Sequence, residues 1–165
     1  MTNKMNQPLL SEVVKKEIDF LNLDNAESKQ LASLYRHNVN KQLGEKPELY
    51  GRILQILPEE FRGDICAEYA VFIALTLASF AKNNGPNNIA TAISKINQNE
   101  NIIRRFRLAE ISKNIDEMRI HLRRVVKIIS SKNTTLNYAS LADDLYKWQK
   151  DKPKQIRMWE RNLIQ

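Results

Sequence analysis

Apolar residues recur at steps of three and four along most of this chain, the period of a helix that buries one face. Leu10, Val13, Val14, Ile18 and Leu21 outline a first amphipathic helix that ends near Asp24-Asn25. A second helix is predicted from Ala26 to Leu43, with Leu31, Leu34, Tyr35 and Val39 inward and Gly44 as its stop. Pro47, a residue favoured at the first helical position, opens a short helix to Leu57, and Pro58 and Gly63 break the chain after it. From about Asp64 to Lys82 the pattern is almost continuously apolar, which predicts a buried central helix. With Glu68 inside it, and barely the roughly 20 residues that a bilayer demands, it reads as core and not as a membrane span. Lys82-Asn83-Asn84-Gly85-Pro86-Asn87-Asn88 then interrupts the helical pattern, since Gly-Pro between asparagines cannot continue it. Beyond this loop helices are predicted over Ile89 to Ile96, Glu100 to Ser112, Asp116 to Ser131, Leu136 or Tyr138 to Lys150, and Pro153 to Leu163. The sum is an all-α protein of eight or nine helices in two small lobes, 1–84 and 85–165, with no strand and no internal repeat.

The helix near Ile115 to Ile129 carries the most information. At 100° per residue, Ile115, Met118, Leu122, Val125, Val126 and Ile129 share an arc of about 100°, a core-facing stripe. Arg119, Arg123 and Lys127 form a row along one edge of it, about 6 Å apart along the axis at a 1.5 Å rise per residue. Arg124 and His121 face further toward solvent. In the preceding helix Ile102, Ile103, Phe106 and Ile111 are expected inward, with Arg104, Arg105 and Arg107 outward. A row of cations on such a pitch is suited to the phosphates of one strand.

Charge sharpens this picture. Residues 101–165 carry 15 Lys+Arg against 7 Asp+Glu, whereas the first hundred carry 11 against 12, so nearly all of the net +7 lies in one stretch. Such asymmetry points to a polyanionic partner. Two other readings stay open on charge alone: a solvated surface, in which Glu110, Asp116 and Glu117 pair with some arginines, and a face for an acidic protein. Exposed pairs contribute only about 0–1 kcal/mol each.

Composition narrows the class. With 42% hydrophobic and 27% charged residues over 165 positions, the chain has the make-up of an ordinary globular protein with a real core. The lone Cys66 permits neither an internal disulfide nor a C-x-x-C zinc knuckle, and it suits a reducing cytoplasm. Met1 to Gln7 is polar and offers no apolar core of signal-peptide type.

Catalytic constellations are missing. His37 and His121 stand far apart without ligand-spaced companions. The adjacent pairs Glu59-Glu60 and Asp143-Asp144 diverge by 100° on a helix and so do not face each other. No phosphate-cradling glycine loop, H-E-x-x-H or nucleophile elbow occurs. No enzyme activity, cofactor or metal is therefore expected. Tyr138, Leu141, Leu145 and Trp148 fall at helical spacing, with Trp159 beyond; next to arginines such a stripe can stack bases, but its spacing suits core packing first. Tyr138 to Leu163 also has the outline of a helix-turn-helix, although its turn, Lys150-Asp151-Lys152-Pro153, lacks the usual glycine.

Several segments together resemble a known family. These are Arg104-Arg105-Phe106, then Met118-Arg119-x-x-Leu122-Arg123-Arg124-Val125-Val126, then Leu136-Asn137-Tyr138-Ala139-x-Leu141-Ala142-x-x-Leu145-x-x-Trp148, and finally Arg157-x-x-Trp159-x-Arg161. Leu34-Tyr35-Arg36 and Leu49-Tyr50-Gly51-Arg52-Ile53-Leu54 precede them. In order and spacing they are similar to the CasB family, the small subunits of the type I-E CRISPR Cascade complex. That resemblance implies a two-lobed helical protein without catalytic activity. It implies crRNA and both strands of the target DNA as partners, with the Cascade backbone and large subunits and a second copy of the chain. Matched to the family's basic segments, Arg36, Arg52, Arg104, Arg105, Arg119, Arg123 and Arg124 are the expected nucleic-acid contacts; Arg107 and Lys127 join them on helix geometry. A salt bridge between the lobes is the competing role for Arg36 and Arg52, and of the adjacent Arg123 and Arg124 one must point away from the shared face. The competing identity for the whole chain is a free-standing helix-turn-helix-like DNA-binding regulator.

Overall fold

The computed structural model describes residues 9–96 and 100–164, so the polar opening Met1 to Gln7 lies outside the described residues. Among the described residues the chain forms α1 (Leu10–Leu21), α2 (Ala26–His37), α3 (Pro47–Ile56), a 3-10 turn (Glu59–Phe61), α4 (Ile65–Ala81), α5 (Ile89–Ser94), α6 (Glu100–Glu110), α7 (Ile115–Ser131), α8 (Tyr138–Lys150) and α9 (Lys152–Ile164). The fold is all-α, as the periodicity predicts, and none of these helices is long and apolar enough to cross a membrane.

α4 is the axis of the molecule. From Ala67 to Ser79 every residue but Tyr69 is buried, and α1, α2, α3, α7 and α8 pack around it. α6 and α7 form an antiparallel hairpin, while α9 closes over α5 and α8. One apolar core runs from Leu10 to Leu163 and draws on helices on both sides of the Lys82–Asn88 loop. The Phe106 and Trp159 rings meet edge to face in it, with centroids 5.1 Å apart.

Asparagine and aspartate start most of the helices. Asn25, Asn88, Asn114 and Asn137 each accept a hydrogen bond from the backbone N–H three residues on, satisfying a donor that the helix itself leaves free. Asp64 does the same for α4 through the Cys66 N–H. α1 has no cap of its own. Its Ser11 N–H donates instead to Asp143 Oδ1 on α8, at 3.2 Å.

The loop before α5 is stitched to the turn before α8. Gly85 N–H donates to the Leu136 carbonyl and Leu136 N–H to the Asn83 carbonyl, each at 3.0 Å. A Cβ on Gly85 would lie 2.3 Å from the Thr135 Cβ, so only glycine permits this approach.

Two expectations are corrected here. α2 ends at His37 and not at Leu43, because Asn38 turns its side-chain amide back onto the Leu34 carbonyl at 2.8 Å while Val39 drops into the core. Ile111 is 67% exposed and points outward. On a helical projection it lies opposite Ile102 and Phe106, and the inward position falls to Glu110, which is 2% exposed.

Candidate nucleic-acid interface

The α7 stripe is core, as expected: Met118, Leu122, Val125, Val126 and Ile129 are all fully buried. Their burial fixes the helix in rotation and so decides where each cation on it stands. Arg119, at the edge of that stripe, is itself only 6% exposed. Its guanidinium Nε lies 3.6 Å from Asp116 Oδ1, and NH1 donates to the Val39 carbonyl at 3.4 Å. Tyr69 on α4 donates to the other Asp116 oxygen at 3.1 Å. Arg119 thus ties the chain after α2 to α7 and α4. One and two turns further on, Arg123 is half-buried and Lys127 exposed; Arg124, one row over, is also exposed.

Two more of the predicted cations are already held by carboxylates. Arg52 makes a two-point contact with Glu17, Nε to Oε2 at 2.8 Å and NH2 to Oε1 at 2.6 Å, and Tyr35 donates to the same carboxylate at 2.6 Å. The Glu17 side chain is only 2% exposed. Its hydrogen bonds raise the Arg52 pKa further, and burial next to this carboxylate pushes the Tyr35 phenol up as well. Arg107 reaches Glu160 on α9 at 2.9 Å.

The other six carry no ion pair among the described residues. Arg36 makes a single long hydrogen bond to Ser33 Oγ, at 3.4 Å, and Arg104 bonds Asn101 Oδ1 at 3.1 Å. Arg105 is half-buried with an unpartnered Nε. Arg123 lies 6.0 Å from the centroid of the Phe80 ring on α4, within reach of a cation–π contact. The neighbouring Lys127 and Arg124 are open to solvent.

The C-terminal end of α4 brings some of these together. Phe80 lies under Arg123, and Ser130 on α7 donates to the Ala81 carbonyl at 3.3 Å. Lys82, which caps α4 in the left-handed conformation at φ 57°, shares a cleft with Arg36. Sequence reasoning missed Lys82 and Phe80 as members of this group. The available signal was their place: an aromatic and a lysine at the last turn of the central helix, immediately before the Asn-Gly-Pro break.

The acidic and aromatic candidates serve the fold. Asp143 caps α1, and Asp144 accepts from Trp159 Nε1 at 3.0 Å; burial pushes the Asp144 carboxyl up to about 6. Trp148 Nε1 donates to the Glu110 carbonyl at 3.0 Å, and Tyr138, Trp148 and Trp159 are all buried. α8 and α9 are separated by Asp151 alone, which leaves no three- or four-residue turn of the helix-turn-helix kind. No group of three or more His, Cys, Asp or Glu side chains among the described residues is placed to hold a metal ion.

A family model described as CRISPR-associated protein Cse2 matches residues 30–162. The chain belongs to the Cse2 family. All nine cations predicted as contacts lie inside the Cse2 match, whereas α1 lies outside it. A solved structure, CasB from Thermobifida fusca, has the same fold, with a TM-score of 0.73 at 20% sequence identity over 93% of this chain and 94% of that one. Among curated proteins none matches.

Proposed function

We propose that this Cse2-family chain is the non-catalytic small subunit of a type I-E, crRNA-guided Cascade complex, and that it steadies the guide–target hybrid and the displaced DNA strand. One observation carries the reading. Of nine cations picked out from sequence, six stand without a carboxylate partner on the described surface of α2, α6 and α7. In a Cse2-family chain with a net charge of +7, such cations are left free for phosphate. Base pairing with the guide reads sequence, while cations of this kind add backbone contacts that tip a nearly balanced strand exchange. The division of labour follows the pairing. Arg36, Arg104, Arg105, Arg123, Arg124 and Lys127 are assigned to phosphate, while Arg52, Arg107 and Arg119 hold the helices that present them. The other subunits of such a complex and a second copy of this chain complete the partners, in the cytoplasm.

The test is a titration of the purified chain with single-stranded and duplex DNA across a salt series, beside the Arg123→Ala/Arg124→Ala double variant. Binding is expected to ignore sequence and to weaken with salt at a log–log slope of about −0.7 per neutralised single-strand phosphate and about −0.9 per duplex phosphate. The double variant is expected to lower both the affinity and the slope. Absence of binding at low salt would reassign these arginines to a protein interface.

A further inference from the structure

A cleft of about 670 Å³ lies between α1, α2 and the C-terminal end of α4. Its size falls within the range of about 300–1,000 Å³ in which proteins enclose groups as large as a nucleotide. Its lining divides by chemistry. Ile18, Leu21, Ala32 and Ala78 supply an apolar floor, Arg36 and Lys82 line the same cleft, and Asn22, Ser79 and Asn84 add neutral polar groups. A third cation at the rim, Lys29, is already taken by Asp24 at 2.9 Å. Arg36 and Lys82 carry no ion pair among the described residues, and the Arg36 guanidinium keeps only its 3.4 Å bond to Ser33. Lys82 stands at the C-terminal end of α4, whose negative partial charge favours a cation there without neutralising it. The same last turn of α4 also carries Phe80, over whose ring Arg123 of α7 lies at 6.0 Å.

An apolar floor beside two unpaired cations fits an amphiphilic anion with a flat apolar part. The apolar floor offers no hydrogen-bond pattern of its own, and Asn22, Ser79 and Asn84 beside it each both donate and accept, so they suit the edge of any base. We propose that this cleft receives one nucleotide of a single strand, its base on Ile18, Leu21 and Ala78 and its phosphate against Arg36 and Lys82. The inference rests on the nucleic-acid reading above and adds to it a subsite that takes an unpaired base of any identity. A paired base does not enter, because its edge and both faces are engaged in the duplex.

The test compares an oligothymidylate with an abasic oligomer of equal length, using the full chain at low salt. Wild type is expected to bind the base-bearing strand roughly fivefold more tightly, the lower end of what one base contact contributes, since no aromatic side chain lines the cleft. Ala32→Phe, which fills the cleft from α2, is expected to erase most of that difference, lowering binding of the base-bearing strand far more than that of the abasic one. Arg36→Ala with Lys82→Ala is expected to weaken binding of both strands. Melting curves report whether the phenylalanine is tolerated, and Ala32→Leu supplies a smaller fill should it not be. Equal binding of the two strands by wild type, with the salt dependence intact, would overturn the subsite and leave the proposed function standing. So would a duplex whose binding falls with Ala32→Phe as much as that of the single strand. No binding of either strand would overturn both.

Discussion

Arg52 and Arg123 carry the same guanidinium to opposite ends. Arg52 is bound at two points by a carboxylate that is almost wholly buried, so removing it strands the Glu17 charge among apolar residues. Breaking such a pair costs about 3–5 kcal/mol. Arg52→Ala is therefore expected to lower the melting temperature by roughly 10 °C, whereas Arg123→Ala, losing only a contact with the Phe80 ring, should leave it within a few degrees. Parallel thermal melts decide this; equal shifts would mean that the pairing does not separate the two arginines. A second prediction rests on Glu110. Burial, with Glu160 beside it, holds its carboxyl well above the usual carboxylate range despite the opposing pull of Arg107. The folded chain thus keeps a proton there that the unfolded chain gives up first. This contribution to stability is complete below the ordinary carboxylate pKa and is lost as pH rises through the raised one. Glu110→Gln should melt above wild type at pH 8 and converge with it near pH 5, and a constant gap across that range would rule out titration as the cause.

At the scale of the helix, the Gly85–Thr135 contact sets how the loop before α5 meets the turn before α8. Gly85→Ala forces a methyl into the Thr135 side chain, and overpacking of this kind costs about 1–3 kcal/mol. Thr135→Gly in the same chain should recover part of the loss, a coupling that a double-mutant cycle by urea denaturation measures. Additive effects would show that the two residues do not meet. Periodicity made the helices legible because each buries one face, and five of the six α7 stripe residues are buried as it predicts, Ile115 at the helix start being partly exposed. The local pattern could not report what other elements bring. Arg119 sits at the stripe edge in projection, but the Val39 carbonyl from the chain after α2, and Tyr69 of α4 bonded to Asp116, close over it. Ile111 was misplaced for the opposite reason, its apolar character outweighing an angle that already pointed outward. The free cations of the candidate site were visible in sequence as basic residues. Which of them had partners was not, since Glu17 and Glu160 lie 35 and 53 residues from the arginines they hold.

Over the whole molecule, one core joins helices from both ends of the chain, and cooperative melting is the expected consequence. Calorimetry of the intact protein should show a single transition, with the calorimetric enthalpy matching the van't Hoff value. Two resolved transitions would instead mark separately melting lobes about the Lys82–Asn88 loop. The cap on α1 also has a bearing on how the chain is made. Ser11 waits for Asp143, and α1 and α4 both pack against α8. A chain leaving the ribosome therefore carries its most apolar helix only partly covered, by α1 to α3, until α7 and then α8 have emerged. Premature termination or ribosome stalling before α8 would release a fragment with the α8-facing side of α4 exposed and α1 without its cap, a substrate for chaperones and proteases and not a shorter version of the folded protein.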